Sequence, residues 1–402
     1  MDFINELFGI PQVVVTGGDY KGSKLILQAH QMIEIKRCPW CGGSHIVRNG
    51  SRVRRFRTLP VGSQIVFVDV EIQRYRCRDC GFDHQEPIDF APGSSHYTHA
   101  FAQYVLELLK IGTIKDVATH LGVSWDTVKD IHKRFLKIHY DCPDIKAVRH
   151  IGIDEFAVRK GHVYKTIVVD LDTGRIIYVG DGKGADSLTD FWTEAKRQGA
   201  QLTAISSDLS PAYLSAVAEN APSATHVFDH FHVVKLMNEA VDEVRRAAWR
   251  DEKDLNKRKV IKGTRWLLLQ NGADVMDSRH RTRLDNALAL NKPLATAYYL
   301  KESLRLIWKQ ETKEKAEAVL DDWVKQARDS GLKPLIKLSN SLMAYRTGIL
   351  AWYDVNISNG KVEGINNKVK VMKRDAYGFR DNEYFRLRLL SLHDARITLK
   401  VG

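Results

Sequence analysis

Long apolar runs are missing from this chain. No stretch reaches the ~20 consecutive apolar residues that cross a bilayer as a helix. The opening MDFINELFGI has no basic leader ahead of an apolar run, so neither a secretory signal nor a membrane partner is expected. Cysteine is scarce, five in 402 residues, and a chain of this length buries an ample core without disulfide staples. Four of the five fall in two CxxC pairs, which reads as metal ligation in a reducing compartment, and cytoplasmic is the consistent location. Acid is in deficit: 49 Asp and Glu against 61 Lys and Arg leave a net charge of +12 and a pI near 9.3. That balance favours a polyanionic partner, with nucleic acid first and a generic basic enzyme as the bland alternative. Internal repeats and low-complexity tracts are also lacking.

What is present divides into zones. Residues 1–35 have mixed strand-like character and no motif. Residues 36–92 hold the cysteine pairs and a dense basic run, and 95–140 read as helical. Residues 148–232 alternate short strands with helices, which suggests a mixed sheet under helical cover. The stretch 233–350 is helical, charged and Trp-bearing. Residues 351–402 hold a return segment, SNGKVEGINNKVKVMKRDAYGFRD, and a final basic helix.

CPWCGGSH supplies Cys38 and Cys41, and YRCRDCGFDH supplies Cys77 and Cys80. Each pair closes a tight turn that presents two thiolates, and two such knuckles make a structural tetrahedral zinc site. The segment between them is longer than usual, so this is a stretched ribbon. His45 and His84 are near enough to substitute, but four cysteines fill the shell. Within that segment Arg52, Arg54, Arg55 and Arg57 surround Phe56, a run suited to phosphate contact or minor-groove insertion, with a solvated hairpin as the alternative.

HAFAQYVLELLKIGTIKDVATHLGVSWDTVKDIHKRFLK reads as three helices, about 97–110, 114–121 and 124–137. Small Ala118, Gly122 at the turn and inward Val128 give the last two a helix-turn-helix pattern, with Ser124 as N-cap. The exposed face of the third helix offers Trp125, Thr127, Lys129, Lys133 and Arg134 to DNA, or to a protein partner.

In RHIGIDEFAV, alternation sends Ile151 and Ile153 to one side and Gly152 and Asp154 to the other. An acid at such a place needs a partner, because an unpaired buried charge costs several kcal/mol. Asp208 ends a second apolar run, LTAISSD, and Glu363 lies in the first turns of a late helix. On that helix Asn366, Asn367, Lys370 and Lys373 follow on or beside the acid's face, suited to a DNA backbone. Three carboxylates from two strands and a helix can hold two Mg²⁺ ions for in-line phosphoryl transfer; separate ion pairs are the bland reading. Glu155 points away from Asp154 in a strand, and Asp170 and Asp172 read as a hairpin turn.

Four blocks, IGIDEFAVRKGHVYKTIVVD, SSDLSPAYLSAV, FDHFHVVKLMNEAVDEVRR and SNGKVEGINNKVKVMKRDAYGFR, resemble successive blocks of the ISL-three family of bacterial insertion-sequence transposases. The zinc knuckles and helix-turn-helix precede them in the same order, so the resemblance covers about residues 36 to 392. It implies a multidomain fold: zinc ribbon, three-helix helix-turn-helix, and an α/β ribonuclease-H-like core with a large all-α insertion. It also implies an Asp-Asp-Glu triad at Asp154, Asp208 and Glu363 with catalytic Mg²⁺ or Mn²⁺. DHFH resembles an Asp-x-x-His element and brings Asp229 and His232 near the site, although a packing histidine fits His232 equally. In the insertion Trp266, following Lys262 and Arg265, is a candidate for stacking on an unpaired base, with a core tryptophan as the alternative. The function implied is a DNA transposase that binds terminal inverted repeats of its element and target DNA, cleaves, and transfers strands as a homodimer or higher oligomer. A catalytically silent DNA-binding regulator and a ribonuclease-H-like nuclease without strand transfer are the alternatives.

Overall fold

The computed structural model describes residues 3–32, 35–159, 163–274, 277–357 and 360–394. They form two compact units, one from the residues up to Asp141 with Asp375–Leu387, the other from Cys142–Arg374 with Arg388–His393.

The first unit opens with α1 (Phe3–Phe8), β1 (Val13–Lys21) and β2 (Lys24–Gln31), followed by β3 (Ile46–Arg57), β4 (Ile65–Cys77) and β5 (Asp83–Gln85). The sheet order is β1-β2-β4-β3, with β5 on β4. On β4 the period-two residues Val66, Val68, Val70 and Ile72 are buried and meet Phe8, Ile10, Phe56 and Phe90. The opening residues, which carry no motif, are therefore part of the ribbon: β2 pairs in parallel with β4, and α1 covers their common core. The length between the knuckles is an antiparallel β3–β4 hairpin registered from Ile46↔Cys77 to Arg57↔Phe67.

Three helices follow: α2 (His99–Leu108), α3 (Ile114–Leu121) and α4 (Trp125–Tyr140). Thr113 and Asp116 close a capping box on α3, Gly122 takes φ +63° at its end, and the Ser124 side chain caps α4. Phe101, Val105, Val117, Ala118, Leu121, Val128 and Ile131 make their core.

The second unit contains β6 (His150–Arg159), β7 (Val163–Asp170), β8 (Ile176–Asp181), α5 (Thr189–Gln198), β9 (Ala204–Ser207), α6 (Pro211–Asn220) and β10 (Thr225–Phe228). Its sheet runs β10-β9-β6-β7-β8, with the first three strands parallel and the last two antiparallel. This is the ribonuclease-H-like order, with β6 at the centre. Ile151 and Ile153 pack with Phe191, Trp192 and Tyr213 of α5 and α6.

A helical insertion follows: α7 (His230–Asp251), α8 (Leu255–Gly263), α9 (Arg265–Leu269), α10 (Ser278–Leu290), α11 (Lys292–Leu304), α12 (Lys313–Asp329), α13 (Lys333–Ala344), α14 (Arg346–Leu350) and α15 (Trp352–Val355). Met237, Val241, Leu304, Leu320, Leu335 and Leu342 share one core with Trp323, whose Nε1–H donates to the Leu300 carbonyl at 2.7 Å. The chain then forms α16 (Gly360–Asp375) and α17 (Asn382–Leu390). Tyr384 and Leu387 of α17 pack on Leu136 of α4 within the first unit.

The arginine run is not a row of open cations. Arg57, expected at a phosphate, is buried with 6% exposure. Its guanidinium donates to the Val66 and Leu121 carbonyls at 3.1 and 3.2 Å, joining the sheet to the end of α3. The reason is position: at Phe56 and Arg57, the last two residues of β3, the strand is buried on both faces, and Phe67 and Phe101 flank the cation. Arg57→Leu, which keeps bulk but removes the donors, should lower unfolding free energy by about 1–3 kcal/mol in urea titrations. Unchanged stability with weakened DNA binding would restore the contact role.

Candidate active site

Strand register brings the acids together. The parallel β6–β9 pairing runs His150↔Ala204, Ile151↔Ile205 and Gly152↔Ser206. Two residues further along both strands stand Asp154 and Asp208. On the other side of β9, Phe228 pairs with Ser207, so Asp229 follows at the same sheet edge and its amide donates to the Ser207 carbonyl. Parallel neighbours lie about 4.8 Å apart, which puts Asp208 and Asp229, just past the ends of β9 and β10, alongside Asp154 in the middle of β6. Asp208 accepts from the Ser210 amide at 3.0 Å. Asp229 caps α7 by accepting from the Phe231 amide at 3.2 Å.

Glu363 enters from the first turn of α16, close enough for its charge to act on Asp229. Burial pushes the Asp154 carboxyl up to about 6, and the charges of Asp208 and Asp229 push the same way against the Glu155 amide and Asn366. Burial also raises Asp229, with Glu363 adding to it and His230 and His232 opposing. Among the described residues, none of Asp154, Asp208 and Glu363 forms an ion pair with Lys, Arg or His. The acids are spread more widely than the cysteines, the one set of three or more candidate ligands within 4.8 Å of one another among the described residues. His232 Nε2 lies 3.9 Å from Asp229 Oδ2.

Glu155 points away from Asp154, as strand alternation gives, and has contacts of its own. It lies on the Ile151–Ile153 side and accepts from the Tyr213 hydroxyl at 3.2 Å. Burial raises it, with Asp208 and Asp154 adding to the rise. Sequence alternation correctly turned it from Asp154, but Asp208 stands beyond the strand end and influences both faces.

In the first unit, Cys38 Sγ lies 3.7 Å from Cys80 Sγ, and Cys41 Sγ lies 3.6 Å from Cys77 Sγ. A tetrahedral zinc ion with Zn–S bonds of ~2.3 Å needs sulfur–sulfur edges of ~3.8 Å. The two knuckles are built alike: Gly42 and Gly81, at φ +73° and +74°, donate to the Cys38 and Cys77 carbonyls. His45 instead pairs with Asp79 at 2.7 Å, and His84 stacks on Tyr75 and Phe82.

Comparison with known proteins agrees with this construction. Residues 151–389 match a family model described as "Transposase" of the ISL3 group. Residues 86–136 match the helix-turn-helix domain of transposase family ISL3, and 36–80 match the zinc finger of transposases IS204/IS1001/IS1096/IS1165. This chain belongs to the ISL3 family of insertion-sequence transposases. It is 33% identical over 371 residues to the transposase for insertion sequence element IS1001 of Bordetella parapertussis, covering 92% of this chain and 91% of that one. It is 28% identical over 394 residues to the transposase for IS1557 of Mycobacterium tuberculosis, covering 91% and 87%. The Drosophila P element transposase strand transfer complex aligns with a TM-score of 0.39 at 13% identity over 77% of this chain and 94% of that one.

As an ISL3 transposase the protein carries DNA-reading modules, and the structure sorts the residues expected to read. Trp125 is 55% exposed, and Thr127 is half-buried beside Ser124. Lys129 and Lys133 are occupied: both pair with Asp381 at 3.0 Å, and Lys133 also meets Glu383 at 2.8 Å. Lys137 joins the same cluster at 2.7 Å from Glu383. Burial pushes Asp381 up, but the Tyr384 amide and the two lysines hold it far below the usual carboxylate range. Arg134 donates to the Pro92 carbonyl at 3.3 Å. On β3, Arg55 forms a bidentate pair with Asp69 at 2.7 Å, Arg54 donates to Ser94 and Ser95 carbonyls, and Arg52 is exposed. On α16, Lys370 reaches Asn367, and Lys373 donates to the Ala157 carbonyl at 2.7 Å. Trp266 is 69% exposed, so the core-tryptophan alternative falls. The Arg265 guanidinium lies 4.9 Å from its ring. No helix among the described residues is long and apolar enough to cross a membrane.

The raised Asp154 gives a signed pH dependence. The folded metal-free protein keeps a proton up to pH about 6 that an ordinary Asp releases near 3.8. The associated stability is present at low pH and is lost as pH rises through that window, by up to about 3 kcal/mol. Asp154→Asn removes this dependence, so at pH 7 the metal-free variant should melt above the wild type in calorimetry. A variant that melts lower, with the acid-side dependence intact, would contradict the electrostatic account.

Proposed function

We propose that this transposase cuts and joins DNA at a divalent-ion site held by Asp154, Asp208 and Glu363. The observation that carries the reading is the gathering of like charges around β6 and β9, with no ion pair to Lys, Arg or His at Asp154, Asp208 or Glu363 among the described residues. Such a site lacks positive charge, and hard carboxylate oxygens suit Mg²⁺ or Mn²⁺. A bound pair of ions would supply Lewis-acid stabilisation of the scissile phosphate and activation of a water or a 3′-hydroxyl.

The chain's own residues then have distinct tasks. Asp154 and Asp208, fixed by β6 and β9, set the floor of the site, and Glu363 closes it from α16. Asp229, capping α7, orients His232 toward the same edge, where His232 can position a phosphate oxygen or the attacking water. Transfer follows in two displacements at phosphorus. Water breaks the P–O3′ bond at an element end, and the proton it loses goes to solvent or a site carboxylate. The departing 3′-oxygen takes a proton from solvent, and the resulting 3′-hydroxyl gives its proton to solvent as its oxygen attacks a target phosphodiester, whose own 3′-oxygen is expelled and protonated. No covalent protein–DNA bond is needed.

The zinc ribbon and helix-turn-helix serve to read terminal inverted repeats, with Arg52, Arg54, Trp125, Thr127 and Arg134 as the contact set. Asn367 and Lys370 border the acid-bearing helix and suit a backbone there, and exposed Trp266 suits an unpaired base. Joining two element ends calls for a homodimer or larger assembly. A silent DNA-binding regulator would use the same N-terminal modules but leaves the repelling acids without purpose.

A pre-nicked element-end substrate with target DNA and Mn²⁺ tests the reading. Wild type should yield joined product. Asp208→Asn should lose about 10²–10⁴-fold, because the stabilisation at stake is several kcal/mol. Joining unaffected by the variant removes Asp208 from the site. Band shift without cutting under any metal favours the regulator, and cutting without joining favours a plain nuclease.

A further inference from the structure

Asn366 sits three residues after Glu363 on α16, on the stripe that faces the strand ends. Its Nδ2 donates to Asp154 Oδ2 at 2.7 Å, while Asp154 Oδ1 accepts from the Glu155 amide at 2.8 Å. Both carboxylate oxygens are therefore held, and the plane of the carboxylate is set from two sides. The other end of the amide is different. Asn366 Oδ1 is buried and has no hydrogen-bond partner.

A buried acceptor left alone costs about 1–3 kcal/mol and calls for a reason. Packing gives none, because leucine would fill the same volume without a lone pair to satisfy. Holding Asp154 gives half of one, because it uses only the NH2 group. An amide carbonyl is also a hard oxygen donor, of the kind that binds Mg²⁺ and Mn²⁺ directly or accepts from water in their shell. The polarity fits the place: the carboxylate side takes the donor end, and the acceptor end is left for a cation or its water.

We infer that Asn366 is a positioning residue of the active site, fixing the Asp154 carboxylate through Nδ2 and keeping Oδ1 as an acceptor for the divalent ion's coordination sphere. This rests on the reading of Asp154, Asp208 and Glu363 as the ion site. It moves Asn366 from the DNA-facing role that helix spacing alone suggests. Removal of a comparable outer group from other metal sites costs about 10–100-fold in affinity.

The test is Mn²⁺ affinity of the full-length, zinc-loaded protein, measured by electron paramagnetic resonance of free Mn²⁺, together with melting of the same zinc-loaded protein without Mn²⁺. Asn366→Leu should weaken Mn²⁺ about 10–100-fold while the melting temperature without Mn²⁺ stays or rises. Asn366→Ala should weaken it similarly and guards against poor packing of the leucine. Wild-type Mn²⁺ affinity in both variants overturns the inference, and so does a lower melting temperature in both, which would mark a packing residue. Asp154→Ala and Glu363→Ala separate the two levels. If they lose Mn²⁺ while the Asn366 variants do not, only the Asn366 assignment fails; if they also bind as wild type, the ion site fails with it.

Discussion

Repulsion among buried carboxylates is the constraint around which the second unit is arranged. Register sets Asp208 and Asp229, just past the ends of β9 and β10, beside Asp154 in the middle of the parallel neighbour β6. Burial and mutual charge make the metal-free arrangement unfavourable. The surrounding core is what maintains it: Ile151 and Ile153 are fully buried against α5 and α6, so β6 cannot slip by one residue without turning its apolar set outward. Stability of the sheet thus pins charges that would otherwise separate. A cation bound there, as proposed, would relieve the repulsion and couple occupancy of the site to stability of the fold.

The first unit handles charge in the opposite way. Several of the basic residues that the sequence offers to DNA are neutralised within the unit, Arg55 by Asp69 and Lys129 and Lys133, with Lys137, by Asp381 and Glu383. Arg57 serves as a joint between sheet and helices. The net charge of +12 is therefore a weaker guide to individual contacts than to the class of partner. Phosphates approaching α4 meet lysines already held by carboxylates.

Several features were legible in the sequence because they are local. The CxxC spacing determines a knuckle, Thr113, Gly122 and Ser124 cap and end their own helices, and an acid in an apolar strand marks Asp154. What could not be read is long-range. Residues 13–31 join the ribbon sheet through pairing with β4, and nothing within them names that partner. The acids that occupy Lys129 and Lys133 lie at the far end of the chain. Trp266 is exposed although an aromatic residue in a helical stretch usually marks a core. Glu155 was set aside by correct alternation, yet Asp208 reaches past the strand end to its side. Asn366 and Asn367 are equivalent by composition, and only the helix's seating on β6 distinguishes the one that touches Asp154.

The central claim concerns what fills the space between Asp154, Asp208 and Glu363. The most direct measurement is anomalous diffraction at the manganese edge from crystals of the protein bound to element-end DNA and soaked in Mn²⁺. The account predicts one or two strong peaks within bonding distance of these three carboxylates, about 2.0–2.3 Å from their oxygens. Manganese density elsewhere, with these oxygens turned apart or paired to arginine or lysine side chains, would contradict it.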